Sequence, residues 1–378
     1  MDTVLTKVEI PVVYLQDVVA RASKGSTFID VIPLSGYMEI KIKDGVLSAR
    51  TTNNSYYLTT ICKTKLNQPD FEAVVDTKLF SALVSKLKGD SVSLSVEDNN
   101  VKVQTKTGKY NIAYQVDLST NTKVKFPEVS FEPNGATTHI TCAEVRSILG
   151  LNKACKSNMK DIPALFNYYM DTEKVLTSND SKACYNPIKV VDRPSALTPE
   201  VFELVPNVMD DDADISKSYG VDISENDDSI MFFSETGTLI GKKASVADLQ
   251  AFPSEEFTSI FNSPMELSVT INRSTFLQVI DPMGLFTDPY EQNRIKLTFT
   301  QSGVTLYNEK TDSEEKMEFI PPLSQDIQPV VIEVNAMELK EELTASTAEQ
   351  IKLSFDEGKL KLSLDNNLEL LLSAVEVG

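Results

Sequence analysis

Few residues in this chain of 378 could do covalent or metal chemistry, and their spacing argues against it. There is one histidine, His139, so Ser-His and Cys-His nucleophilic pairs and histidine-based metal sites have almost nothing to draw on. Cys62, Cys142, Cys155 and Cys184 are scattered with no Cys-x-x-Cys pair. That spacing frames neither a disulfide scaffold nor a metal cluster, and it fits a reducing cytosol. The run Asp210-Asp211-Asp212-Ala213-Asp214 has the charge to attract a divalent cation, but it lacks the EF-hand spacing and the closing Glu. It reads as a solvated acidic loop between a helix and a strand. No Gly-x-x-x-x-Gly-Lys phosphate loop or Gly-x-Gly-x-x-Gly fingerprint occurs. The expectation is a protein that is not an enzyme and uses no cofactor and no metal.

The elements that would position any site are written three times. Similar strand starts at Val46-Leu47-Ser48, Val175-Leu176-Thr177 and Val304-Thr305-Leu306 lie 129 residues apart, twice. Phe126-Pro127 and Phe252-Pro253 lie 126 apart, one third of the chain. Leu15, Val18 and Val19 make a helical stripe, as do Val145, Ile148 and Leu149, and Phe276, Val279, Ile280 and Met283. Each of these helices precedes a hairpin, with tight turns at Lys43-Asp44-Gly45, Asp171-Thr172-Glu173 and Gln301-Ser302-Gly303.

The second half of each copy repeats the scheme. Asp76, Thr198 and Asn335 are candidate N-caps for second helices, with Glu338 completing a capping box, and Thr141 with Glu144 gives another on a first helix. Alternating strands follow each second helix. Pro206 should end the middle copy's second helix early. Copies one and two share the sequel Thr52-Asn53-Asn54-Ser55 against Ser178-Asn179-Asp180-Ser181. The expected fold is α+β: three repeated domains, 1–127, 128–258 and 259–378, each with two helices packed on curved antiparallel sheet.

Length and composition bound the rest. With 41% hydrophobic residues, each third can bury a core of its own. The opening Met1-Asp2-Thr3-Val4 lacks a basic segment followed by an apolar core, so no signal peptide is expected. No apolar run reaches the roughly 20 residues that span a bilayer. A soluble cytoplasmic protein without a membrane partner is expected. The net charge of −19 argues against coating nucleic acid by bulk attraction, while leaving room for a local basic surface.

The segment Phe71-Glu72-Ala73-Val74-Val75-Asp76-Thr77-Lys78-Leu79-Phe80, followed by Leu87-Lys88-Gly89-Asp90 and two strands, resembles the bacterial-type DNA sliding clamps, the beta-subunit family. The Phe-Pro pair closing each of the first two thirds is another feature of that family. The resemblance covers essentially the whole chain through order and pattern. It implies a head-to-tail homodimer whose six domains close a ring around duplex DNA, lined by helices. It also implies a processivity role, with a replicative DNA polymerase and a clamp-loader ATPase as partners. A ring closes when the rotation per subunit permits, and encirclement needs only modest positive charge facing phosphates, without base contacts.

The resemblance also implies sites. DNA-facing candidates are Arg21, Lys24, Lys78, Lys86, Lys88, Arg146, Lys153, Lys156, Lys160 and Arg273. The middle copy's second helix, with Glu200 and Glu203 and no lysine, departs from a uniformly basic lining. A pocket for a short extended partner peptide is placed at Pro163, Leu165, Ser178, Asp180, Ala183, Ile260, Leu267, Leu372 and Ala374. The family usually ends in a Met-Pro-Met-Arg-like segment. This sequence ends Ser373-Ala374-Val375-Glu376-Val377-Gly378, so a different pocket chemistry is expected, and a phage-encoded clamp with its own polymerase fits. Ring closure is expected at Phe80, Leu83 and Leu87 against Met283, Leu285 and Phe286. The alternative function is a ring-forming or scaffold protein of three β-rich repeats with no DNA in its centre.

Overall fold

The computed structural model describes residues 6–27, 32–97, 99–115, 124–179, 181–209, 220–265, 267–285, 293–319, 327–356, 358–364 and 368–376. The chain opens with β1 (Lys7–Pro11), α1 (Val12–Ser23), β2 (Tyr37–Lys43), β3 (Val46–Thr52) and β4 (Tyr56–Ile61). The same order of strand, helix and three strands follows at once: β5 (Phe71–Asp76), α2 (Thr77–Val84), β6 (Ser91–Glu97), β7 (Asn100–Gln104) and β8 (Lys109–Ala113).

The middle copy repeats the order twice. Its first half has β9 (Thr138–Thr141), α3 (Cys142–Cys155), an extra turn of helix α4 (Pro163–Phe166), β10 (Tyr168–Met170), β11 (Val175–Ser178) and β12 (Lys182–Asn186). Its second half has β13 (Ser195–Leu197), α5 (Pro199–Phe202), β14 (Gly220–Glu225), β15 (Ser229–Ser234) and β16 (Gly237–Lys242). Two short helices, α6 (Val246–Ala251) and α7 (Ser254–Asn262), connect to the last copy. That copy has β17 (Leu267–Asn272), α8 (Arg273–Gly284), β18 (Arg294–Phe299), β19 (Gly303–Asn308) and β20 (Ser313–Glu318), then β21 (Val330–Asn335), α9 (Ala336–Ala345), β22 (Gln350–Asp356), β23 (Lys359–Ser363) and β24 (Glu369–Glu376). Each third is thus a doubled strand-helix-three-strand unit, and the chain is α+β.

Local chemistry places the helix starts where the sequence puts them. Asp76 accepts from Leu79 N at 2.7 Å and caps α2. Thr141 and Glu144 close a capping box at α3, with Thr141 N donating to Glu144 Oε2 at 2.8 Å and Glu144 N to Thr141 Oγ1 at 3.2 Å. Asn335 accepts from Met337 N and Glu338 N at α9. Thr198 is the exception: its Oγ1 is buried without a partner, so Pro199 starts α5 with no hydroxyl cap. Helix α5 then stops at Phe202, and Pro206 lies in a separate 3-10 turn, Val205–Val208, as proline's missing N–H requires. At the β2–β3 hairpin both Asp44 and Gly45 have positive φ, 52° and 78°, the two-residue turn that matches strand twist. A Cβ on Gly45 would sit 2.5 Å from Leu66 O, so glycine is required there.

The strands follow one pairing rule, to which the last copy adds a β21–β24 pairing over Ile332↔Glu376 to Val334↔Ala374. The first strand of each half-copy pairs with the three strands of the other half: β1 with β6, β5 with β2, β9 with β14, β13 with β10, β17 with β22 and β21 with β18. Neighbouring copies then join through their last strands. β4 pairs antiparallel with β16 over Thr60↔Gly237 to Tyr56↔Gly241, and β12 with β24 over Lys182↔Leu372 to Tyr185↔Glu369.

These two seams define two compact units, Met1–Val145 with Glu200–Lys243, and Arg146–Pro199 with Ala244–Gly378. They cut through the middle third. In the first unit α1 and α2 pack on a core that includes Leu15, Val18, Phe80, Val84, Met38, Ile40 and Val103. In the second, Phe276, Ile280, Leu339 and Leu343 from α8 and α9 pack on Phe299, Leu306, Leu353 and Leu362. Each buried side chain of this size contributes roughly 1.5–3 kcal/mol. Among the described residues no helix is long and apolar enough to cross a membrane.

Candidate functional site

Arg21 on α1 illustrates what sequence position alone cannot reveal. Its side chain is only 10% exposed, and the guanidinium uses all five N–H donors. They reach Asp17 Oδ1 and Oδ2 at 3.1 and 2.8 Å, Ile61 O at 3.0 Å, Asn207 O at 3.1 Å and Thr236 O at 2.8 Å. Arg21, expected on a DNA-facing surface, thus spends all of its donors pinning the first seam from within. Lys24, Lys78, Lys86 and Lys88 of the same unit are all exposed on or just past α1 and α2.

The second unit splits its cations the same way. Arg146, Lys153 and Lys160 are exposed. Lys156 is 7% exposed, its ammonium 5.1 Å from the centre of the Phe166 ring, a cation–π contact. Arg273 is half-buried and donates from Nε to Ala348 O at 2.7 Å and from Nη1 to Leu343 O at 3.0 Å, so it caps the end of α9. Arg273 and Lys156 thus join Arg21 as cations largely committed to the fold.

A groove of about 770 Å³ runs between α3 and α9, edged by Lys153, Lys156, Lys182 and Lys340 and by Glu338 and Glu341. At its floor Lys182 Nζ contacts Glu341 Oε2 at 2.6 Å and Glu342 Oε1 at 3.0 Å. Cys155 Sγ donates to the same Glu342 oxygen at 3.4 Å, and Glu342 Oε2 has no partner. Burial alone would lower the pKa of the Lys182 ammonium, yet Glu342 and Glu341 carry it well above the ordinary lysine value. Burial pushes the Glu342 carboxyl up against the pull of Lys182. Burial likewise raises the Cys155 thiol, which keeps it an unreactive proton donor.

On the other side of the β11–β12 turn lies a pocket of about 210 Å³. Phe257, Ile260, Leu371, Leu372 and Ala183 give it an apolar floor, and Ser178, Asn179, Ser181, Lys182, Lys359 and Ser373 give it a polar rim. Beneath it Tyr169 stacks on Phe252 at 4.8 Å, and Phe252 on Phe257 at 5.5 Å. Of the expected peptide-site residues, Ser178, Ala183, Ile260 and Leu372 meet here. Pro163 and Leu165 sit on α4 and Leu267 pairs with Phe355, none of them in the lining. Asp180 and the side chain of Ala374 lie outside the described residues, as does the acidic run 210–214. Phe257 and Leu371 were missed, although Phe257 and Ile260, three apart on α7, form a stripe that could have revealed one of them.

The expected closure residues are redistributed. An interface residue must be exposed in the free chain, yet Phe80 (0%), Met283 (1%) and Leu87 (7%) already fill their own cores. Leu83 is half-buried, Leu285 is 80% exposed, and Phe286 lies outside the described residues.

Of the strands that end a half-copy, β4, β12, β16 and β24 are paired across the seams, and two keep a free edge. Among the described residues β8 pairs only with β7, and β20 only with β19. Tyr114 N donates to Asn99 O and Thr105 N to Gly108 O, so the alternation of the ladder turns the amides of Lys109, Asn111 and Ala113 away from β7. By the same alternation, with Phe319 N donating to Ser302 O, those of Glu314, Lys316 and Glu318 face away from β19. One edge carries Lys109, with Lys106 in the turn before it, and the other carries Glu314, Glu315 and Glu318 with the single cation Lys316.

Three tandem copies of an eight-strand, two-helix unit, with exposed basic residues on or just past α1, α2 and α3 and an apolar pocket at one seam, make a repeated α+β protein. No protein-family model matches the chain, and no curated protein matches it. Solved structures do. The DNA polymerase III beta subunit of Thermotoga maritima matches with a TM-score of 0.80 at 12% identity, over 99% of this chain and 100% of that one. The DNA polymerase sliding clamp of Bacillus subtilis matches with a TM-score of 0.80 at 14% identity, over 99% and 100%. The Helicobacter pylori beta clamp, solved bound to a DNA ligase peptide, matches with a TM-score of 0.77 at 12% identity, over 98% and 99%. The chain has the fold of the bacterial DNA sliding clamps along its whole length.

Proposed function

We propose that this protein is a DNA sliding clamp: a non-enzymatic, cytoplasmic processivity factor that encircles duplex DNA and tethers a replicative DNA polymerase. The observation that carries this is the match to clamp structures over 99% of this chain and 100% of theirs. It disfavours a scaffold unrelated to DNA. The three clamp domains are 1–127, 128–258 and 259–378. A clamp-loader ATPase opens the ring onto DNA, and phosphates are met by the exposed Lys24, Lys78, Lys86, Lys88, Arg146, Lys153 and Lys160. The pocket around Phe257, Ile260 and Leu372 accepts partner peptides, as the Helicobacter pylori clamp accepts one from a ligase.

The pairing rule specifies closure. β4 meets β16 of the next copy, and β12 meets β24, so β20 meets β8 of a second chain. The net acidic β20 edge and the basic β8 edge are complementary, and pairing them covers both. Two head-to-tail chains then close a ring. In light scattering the protein should run at twice 41.9 kDa, or 83.8 kDa. A stable 41.9 kDa monomer at micromolar concentration would remove the ring.

A further inference from the structure

The peptide pocket and the α3–α9 groove share one wall, the turn that joins β11 to β12. Asn179 and Lys182 line both. Local bonds give the turn its shape: Asn179 Oδ1 accepts from Ser181 N and Lys182 N, each at 2.9 Å, and Asn179 N donates to Lys182 O at 2.9 Å. Its location is fixed by other bonds, all made to α9 or β24. Ser181 Oγ donates to Glu338 Oε1 at 2.7 Å, Lys182 Nζ holds Glu341 and Glu342, and Ser373 N donates to Ser181 O at 2.7 Å.

The chain contains its own control. At the first seam the equivalent turn follows Thr52, with Asn53 Oδ1 accepting from Ser55 N at 2.9 Å and Lys242 N donating to Ser55 O at 2.8 Å. The residue matching Lys182 is there the uncharged Tyr56, whose hydroxyl donates to Gly25 O at 2.9 Å, while Asn53 Nδ2 reaches Glu200 Oε2 on α5 at 3.5 Å. Two turns that share the Asn-to-Ser bond and the bond from the neighbouring strand are thus fastened differently, and the buried ionic fastening occurs at the seam that bears the apolar pocket. A buried ion pair is an expensive way to gain stability, and its best-attested use is to fix one arrangement among several.

We propose that Lys182 is a positioning residue of the peptide pocket, latching the Ser178–Lys182 turn to α9 so that the pocket wall is set before a partner arrives. This rests on the pocket being the partner site. Preorganising a wall removes an ordering cost from binding, so loss of the latch weakens binding without removing a direct contact. The latch also ties the pocket to the helix that edges the basic groove.

The test measures anisotropy of a short fluorescein-labelled peptide ending in Leu-Phe against the intact protein. Phe257→Asp, at the pocket floor, should abolish binding. If the wild type does not bind the probe, or Phe257→Asp leaves binding intact, the pocket assignment itself fails. With that assignment standing, Lys182→Met should bind roughly tenfold more weakly, and Lys182→Arg should recover most of the loss. Hydrogen exchange should quicken at the amides of residues 181–183 while those of Leu353 and Leu362 stay protected. If Lys182→Met does not fold, Ser181→Ala and Glu341→Gln, each removing one tie to α9, should still weaken binding about threefold. Wild-type affinity in a folded Lys182→Met, or in both of the milder variants, would overturn the proposal.

Discussion

Asn111→Pro should convert the 83.8 kDa dimer to a 41.9 kDa monomer while leaving each chain folded. Asn111 lies on β8 at a position whose amide points away from β7, so proline there removes no bond of the existing ladder. It does remove a donor from the free edge, and its ring obstructs an incoming strand. One carbonyl of the partner strand is left without its donor, at a cost of about 1–3 kcal/mol, and the steric obstruction adds to that. A dissociation constant about 10–100-fold higher or more is expected, since each 1.4 kcal/mol is about tenfold. Sedimentation equilibrium reads this directly. Tyr110→Pro, one residue away, breaks a β7–β8 bond instead and should lower thermal stability as well. A fully dimeric Asn111→Pro would place closure somewhere other than β8.

Arg21→Met should destabilise the first unit by about 3 kcal/mol, within the range for breaking a buried charge network. The side chain is 10% exposed, and its removal takes a donor from the carbonyls of Ile61, Asn207 and Thr236, of which Thr236 O keeps its bond from Ile61 N. For a unit of this size that amounts to a fall in Tm of roughly 6–12 °C. Lys24→Met, three residues along and exposed, should leave Tm within about 1–2 °C, because surface charges contribute little to stability. If Arg21→Met left Tm unchanged and weakened DNA retention instead, Arg21 would be a phosphate contact.

These two positions show what the sequence could and could not reveal. The threefold order was legible because caps and periodicities are local. Asp76, Thr141, Glu144 and Asn335 act where a capping pattern puts them, and Pro206 ends the middle helix as proline must. Arg21 and Lys182 were not legible, because a cation on a helix or strand looks the same whether it meets water or three distant carbonyls. Phe80 and Met283, expected at closure, lie in their own cores, and the sequence does not reveal this for a related reason. An apolar helix stripe must be buried, but periodicity does not say whether its cover comes from the same chain or a second one. The pocket was half-legible: Ile260 and Leu372 were placed there by resemblance, while Lys182, Phe257 and Leu371 depend on how the turn, α7 and β24 converge. The pairing rule that isolates β8 and β20 becomes visible only when the strand partners are known.

Encirclement is tested most directly by topology. The protein is loaded onto closed circular duplex DNA with its clamp-loader ATPase, washed at a salt concentration that removes weak phosphate contacts, and the DNA is then cut once. Retention on the intact circle and loss within minutes of linearisation is the expected result, with Asn111→Pro retained on neither. Equal retention on circular and linear DNA would mean that the protein holds DNA by contact rather than by enclosing it, and would contradict the sliding-clamp assignment.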